Sequence, residues 1–429
     1  MNKKQYDQIQ ETLYTKKLDN GLEVFLLPKQ EMAKTFSIFT TEYGSIDQTF
    51  TPLGENEQVS VPEGIAHFLE HKLFEKEDRD VFHDFTKQGA SANAFTSFTS
   101  TAYLFSGTSN IDENVKTLLD FVQDPYFSDE SVEKEKGIIS QEIRMYDDQP
   151  DWRSFFGTIQ SLFENHPVKI DIAGTVDSIQ DITKEDLYTC YHTFYHPSNM
   201  TFFMAGNFDP DHMMKLIEEN QNDKEFTPED DIKRSYPEEP KTVAEKHKVI
   251  EMPVSLAKCM VGVKEDTEHL TSENFLKTDM IKSMVLDHFF SKSGEFYEKL
   301  YKEDLIDDSF SFESHLDKTF GFTILGGNTR EPEKFQTRVK EMLHELKKRS
   351  LTDEEFERMK KKRIGQFLRS MNSLEFIATT FVHYRHLGLD LFEVLPVIEQ
   401  LTKQDVIDHL QEWIDEERIA ICEIRPVEE

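Results

Sequence analysis

The sequence predicts an α+β protein of two duplicated domains, each an antiparallel sheet with helices packed on one face. Three observations carry this. Strand-like and helix-like stretches are mixed in both halves, with no GxGxxG and no GxxxxGK[ST] loop. A Pro-rich, charge-dense stretch divides the chain near its midpoint. A short signature recurs on either side of it: residues 179–187 read IQDITKEDL, residues 398–406 read IEQLTKQDV, and Thr183 and Thr402 stand 219 positions apart. A repeat spaced at half the chain length favours a duplicated domain.

Taken in order, Asn20-Gly21 is a hairpin signal between strands at 14–18 and 22–27. Residues 35–43 and 95–105 read as further strands. Helical periodicity covers 65–74, 115–123 and 131–146, and in the second half 273–290, 333–346 and 354–371. Thr183 and Thr402 are plausible helix N-caps, and each leads through a helical pattern into an apolar strand, at 200–204 and 418–422. The dividing stretch holds Pro228, Pro237 and Pro240 with Glu229-Asp230-Asp231 and Glu238-Glu239, so it reads as a linker. The expected organisation is therefore an N-terminal domain at 1–224, a linker at 225–248 and a C-terminal domain at 249–429.

Composition limits the function. Hydrophobic residues make up 37% and aromatic residues 12%, which is globular rather than disordered. Lys and Arg number 49 against 82 Asp and Glu, a formal charge of −33. Such a surface repels phosphate backbones and anionic bilayers, so neither nucleic acid nor membrane is an expected partner. No run of 18 apolar residues occurs, and the N-terminus lacks the apolar core of a signal peptide. Cys190, Cys259 and Cys422 are far apart, odd in number and without a CxxC pair. They read as reduced thiols of a cytoplasmic protein.

The informative segment is Gly64-Ile-Ala-His67-Phe-Leu-Glu70-His71-Lys-Leu-Phe74. On a helix, His67 and His71 lie at i and i+4, so both imidazoles leave one face and can reach one Zn²⁺. Glu70 follows one turn after His67 and can reach a water at the metal without being a ligand. A site with an open position needs a third protein ligand. Glu142 can supply it from the helix at 131–146, and Glu135, seven residues earlier on the same face, can hydrogen-bond a ligand imidazole from behind. The residues alone leave bland alternatives open: a histidine pair beside a salt-bridging Glu, and two solvated helix acids. Isoleucines 138 and 139 are expected to anchor that helix inward. His83, His192 and His196 read as structural or surface residues.

The combination resembles the M16 family of insulinase and mitochondrial processing peptidase. The HxxEH segment is followed, 71 residues after His71, by Glu142 in an E-K-G-I-I-x-x-E-I context. Between them, Gly89-Ala-Ser-Ala-Asn93-Ala94-Phe95-Thr96 is similar to the family's G-x-x-x-N-A-x-T segment. Tyr195-His-Pro-Ser-Asn-Met200 through Asn207 is similar to its Y-x-P-x-N-M strand. Within the family the chain is most similar to the bacterial YmfH-like branch, some of whose members carry names linked to elongation factor P 5-aminopentanol modification. The resemblance implies the LuxS/MPP-like metallohydrolase fold and a zinc metalloendopeptidase of unfolded peptides. It makes His67, His71 and Glu142 zinc ligands, Glu70 the general base and Glu135 the supporting acid. Asn93, Ala94, Phe95 and Thr96 become an edge strand that binds extended peptide by strand addition.

One departure stands out. Active members carry an Arg and a Tyr, seven apart, in the second half. The matching stretch has Tyr301 and Asp308 there. Neither can do the electrostatic job expected at its position, and Asp308 would repel a developing oxyanion. The resemblance thus implies a heterodimer whose homologous partner lacks HxxEH and supplies the Arg/Tyr pair. A non-catalytic peptide-binding or modification-associated subunit is the alternative.

Overall fold

The computed structural model describes residues 1–227 and 231–427. Two compact units emerge. The first comprises Met1–Ile143, Ile170–Tyr236 and Leu368–His386; the second comprises Arg144–Lys169, Pro237–Phe367 and Leu387–Glu429. Each unit therefore takes in one segment from beyond the expected boundary at the middle of the sequence.

Strands before residue 207 are β1 Asn2–Tyr6, β2 Glu11–Lys17, β3 Glu23–Pro28, β4 Thr35–Thr41, β5 Thr49–Thr51, β6 Val59–Ser60, β7 Ala90–Thr96, β8 Thr101–Gly107 and β9 Met200–Gly206. Later come β10 Lys233–Arg234, β11 His247–Met252, β12 Lys258–Lys264, β13 Ser311–Leu316, β14 Gly321–Asn328 and β15 Ile419–Pro426. The first unit's sheet runs β1-β2-β3-β9-β4-β8-β7, and the second's runs β11-β15-β12-β14-β13. Without β1 and β2, the two orders coincide. Both sheets are antiparallel except for one pair each: β3 lies parallel to β9, and β11 parallel to β15. The recurrent signature is the shared element behind this. Helices Lys184–Phe194 and Lys403–Trp413 both start on a capping box, Thr183 with Asp186 and Thr402 with Asp405, and both lead into the parallel strand.

The Asn20-Gly21 signal lies in the turn between β2 and β3, with Gly21 at φ 92°. The stretch at 95–105 is not one strand. It spans the end of β7, a turn and most of β8, because Ser97 and Ser100 close a turn in which the Ser97 amide donates to the Ser100 carbonyl at 2.8 Å. That hairpin leaves β7 at one edge of its sheet, with β1 at the other.

The central strands of the first sheet are covered on both faces. Every residue of β4 and β9 is buried, as happens when both faces of a sheet are covered. On one face, Phe39, Phe202 and Met204 join the core beneath helix Ile65–Phe74. On the other, Phe25 and Phe203 meet Phe381 of helix Leu374–His386 at ring distances of 4.9 and 4.6 Å. Arg385 fixes that helix with a two-pronged ion pair to Glu23. Fully burying Phe203 contributes roughly 1.5–3 kcal/mol, while Phe25 is half-buried. In the second unit, helix Pro150–Leu162 plays the same part. Its Gly157 lies so close to β15 that a Cβ would stand 2.7 Å from the Cys422 Sγ. Each sheet is thus closed by a helix encoded in the opposite half of the chain.

Much of the stretch expected to be a linker is anchored. β10 pairs with β5, Arg234 and Tyr236 both bind the buried Asp47 carboxylate at 3.1 and 2.7 Å, and Glu239 accepts from the amides of Glu164, Asn165 and His166. Pro228, Glu229 and Asp230 of its acidic run lie outside the described residues.

Candidate metal centre

Helix Ile65–Phe74 begins at Gly64, whose φ of 85° is left-handed. A Cβ there would meet the Ala173 carbonyl oxygen at 2.3 Å, so only glycine brings the chain in at this angle. Ile65, Ala66, Phe68, Leu69 and Leu73 fix the helix in the core. Lys72 is fully buried; it pairs with Glu75 and approaches the Ser131 carbonyl at 3.5 Å. That ties the motif helix to helix Asp129–Asp147, which carries Glu135 and Glu142. Ile139 is fully buried, whereas Ile138 is 46% exposed and departs from the inward role expected of it. It lines a cavity instead: Glu135, Ile139 and Glu142 claim the inward face, and Ile138 is turned off it.

The three donor residues converge. One ligand atom from each of His67, His71 and Glu142 lies within 4.8 Å of the others. His67 Nε2 is 3.9 Å from Glu142 Oε1, and His71 Nε2 is 3.7 Å from Glu142 Oε2. These gaps are too long for hydrogen bonds. They are close to the ~3.3 Å between two atoms that each lie ~2 Å from one tetrahedral ion. His71 Nδ1 is 2.9 Å from Glu135 Oε1. A proton on Nδ1 donates there and leaves the Nε2 lone pair facing Glu142.

Burial, with some help from His71, pushes the His67 imidazole down to about 3, so that ring is neutral and its lone pair free. Its Nδ1 is buried with no hydrogen-bond partner among the described residues. Burial alone would lower His71 too, but the hydrogen bond to Glu135 and the carboxylates of Glu70, Glu135 and Glu142 outweigh it and raise the value. Glu70 is 8% exposed; burial raises its carboxyl, and the Thr96 hydroxyl, donating to Oε2 at 2.7 Å, pulls partly against this. Two neutralisable imidazoles and an oxygen donor on one side suit a borderline ion such as Zn²⁺. The residues present fit that metal.

Asn93 and Ala94 of β7 line a cavity of about 560 Å³ together with Glu70, His71, Phe74 and Phe82. Phe95 and Thr96 complete the strand. His83 and His192 are exposed, and His196 is buried with bonds to Ser198 and the Thr227 carbonyl. Tyr301 is 59% exposed and stacks on Tyr297, while Asp308 pairs with Lys292 at 2.9 Å; both belong to the second unit.

Residues 54–176 match the insulinase family, peptidase family M16, and residues 181–363 match the M16 inactive domain. The chain belongs to peptidase family M16. It is 51% identical over 98% of its length to the uncharacterized zinc protease YmfH of Bacillus subtilis, 98% of which is covered. An M16-like peptidase of Alicyclobacillus acidocaldarius superposes with a TM-score of 0.93 at 41% identity, covering 97% of this chain and 99% of that one. A Helicobacter pylori protease shares the M16 fold at a TM-score of 0.83 and 19% identity, over 96% of this chain and 99% of that one. The HxxEH helix falls in the insulinase match. The inactive-domain match falls mainly on the second half, which carries no second HxxEH.

Two features of this M16 site were not foreseen. The Thr96 hydroxyl is committed to Glu70 rather than left to a bound peptide. Tyr103 and Tyr195 are buried and share a 2.8 Å hydroxyl contact, with Glu70 among the charges that raise both. Neither contact is local in sequence, so no periodicity announces it.

Proposed function

We propose that this chain is the metal-bearing subunit of a zinc-dependent endopeptidase acting on unfolded peptides. The observation that carries the reading is the convergence of His67, His71 and Glu142 beside the desolvated Glu70. His67, His71 and Glu142 hold the metal, and Glu135 orients His71 from behind. When bound, zinc polarises the scissile carbonyl and acidifies water. Glu70 takes the proton from the attacking water and returns it to the leaving amine. Asn93, Ala94, Phe95 and Thr96 present the outer edge of β7, so main-chain hydrogen bonds align an extended substrate with little sequence preference.

Tyr301 lacks the charge of the Arg expected at its position and Asp308 would repel an oxyanion, which supports a homologous partner subunit that lacks HxxEH and supplies an Arg/Tyr pair. No helix among the described residues is long and apolar enough to cross a membrane. Three buried free cysteines favour a reducing, cytoplasmic setting.

The test is zinc content and peptide hydrolysis, with partner present, for wild type, Glu142→Ala and Glu70→Gln. Glu142→Ala is expected to lose zinc. Glu70→Gln is expected to keep zinc and lose turnover by ~10²–10⁴-fold. Unchanged turnover in Glu70→Gln would favour a non-catalytic peptide-binding subunit. Full activity of the purified chain with no second polypeptide would refute the need for a partner.

A further inference from the structure

We propose that Thr96 is a positioning residue for Glu70, its hydroxyl holding the carboxylate in the orientation proton transfer requires. The proposal rests on the peptidase reading above and deepens it. Glu70 is buried, and a buried carboxylate requires donors. Among the described residues, Thr96 Oγ1 is its only hydrogen-bond donor, at 2.7 Å to Oε2. One oxygen is thereby fixed, and the other is left to accept a proton. Without the hydroxyl, no hydrogen bond from the described residues restrains rotation of the carboxylate about its last side-chain bond.

Thr96 is well suited to hold something else still. It ends β7 and pairs in register with Thr101, the first residue of β8. The turn between them is locked by the Ser97 amide on the Ser100 carbonyl and by the Ser97 and Ser100 hydroxyls at 3.0 Å. Thr101 Oγ1 donates to the Tyr43 carbonyl at 2.9 Å and lies 3.5 Å from Thr96 Oγ1. The Thr96 hydroxyl is thus held by a rigid hairpin, with Glu70 as its nearest acceptor. Because β7 is also the proposed docking strand, one short segment would align the peptide by its backbone and the base by a side chain. A mismatch of about 1 Å between the two is costly, of order 10²-fold in rate.

The experiment compares Thr96→Val and Thr96→Ser with wild type and Glu70→Gln in the zinc-loaded protein, with any partner it requires. Valine keeps the shape and removes the hydroxyl. The expected result is a kcat for Thr96→Val lowered ~10²-fold, with KM, zinc content and melting temperature near wild type. Serine should restore most of the loss. Crystals of Thr96→Val should show the Glu70 carboxylate displaced from its wild-type position, a readout independent of turnover. An unchanged kcat, a loss borne by KM or by zinc content, or a serine variant as poor as valine would overturn the proposal while leaving the peptidase reading intact. A wild-type protein without zinc or without hydrolysis would overturn both.

Discussion

The two units are built on one frame and differ in what surrounds a buried carboxylate in each, Glu70 in the first and Glu265 in the second. In both, a capped helix runs into the strand that makes the sheet's parallel pair. Between β4 and β7 the first unit has the ten-residue helix Ile65–Phe74; between β12 and β13 the second has the 19-residue helix Ser272–Phe290. In the second unit the buried Glu265 carboxylate is matched by donors, although the buried His409 Nε2 has no hydrogen-bond partner among the described residues. Lys282 is fully buried at 2.6 Å from Glu265, whose carboxylate also takes the Thr323 hydroxyl at 2.8 Å and the Trp413 indole at 3.0 Å. Burial would raise Glu265, but the Lys282 ammonium and these donors hold it below its usual range. In the first unit, among the described residues, His67 has no partner on Nδ1, Glu70 has a single donor, and three carboxylates crowd two imidazoles. A satisfied buried network stabilises a fold, whereas desolvated groups left short of partners at a cavity mark a place for a ligand or a reaction.

The sharpest way to break this contrast is Lys282→Met. It strands the Glu265 carboxylate and should cost about 3–5 kcal/mol in urea unfolding. Zinc content of the surviving folded protein should be unchanged. Glu135→Gln should do the reverse. It leaves stability near wild type but weakens zinc binding ~10–100-fold in competition with a chelator, because the His71 ring loses its anionic anchor. If instead stability fell and zinc affinity held, the open character assigned to the first unit would be mistaken. The smallest effects test the shared frame. Thr183→Ala and Thr402→Ala should each cost about 1 kcal/mol, and by similar amounts, since the two caps have the same geometry.

What the sequence discloses follows the range of the interactions. His67, Glu70 and His71 fall on one helix turn, and Glu135 with Glu142 on two, so their faces are readable from spacing. That these two helices meet is a tertiary fact, and it was the family resemblance that pointed to it. The 219-residue echo was legible because capping chemistry is local. By contrast, the β7–β8 hairpin was hidden by a turn of serine, threonine and phenylalanine, with neither glycine nor proline to mark it. The exposure of Ile138 and the hydroxyl of Thr96 on Glu70 depend on neighbours far along the chain. So does the covering of each sheet by a helix from the other half, since periodicity shows that a helix has an apolar face but not which sheet will receive it.

That last arrangement has a consequence for biosynthesis. The seven strands of the first sheet have all been made once residue 206 emerges, yet Phe25 and Phe203 wait for Phe381 before they are covered. Throughout that interval the nascent polypeptide displays a bare aromatic surface, the kind of surface that chaperones sequester and that clumps when left alone. A ribosome stalled past residue 206 but short of residue 374 would hold every candidate metal ligand and still lack a finished domain.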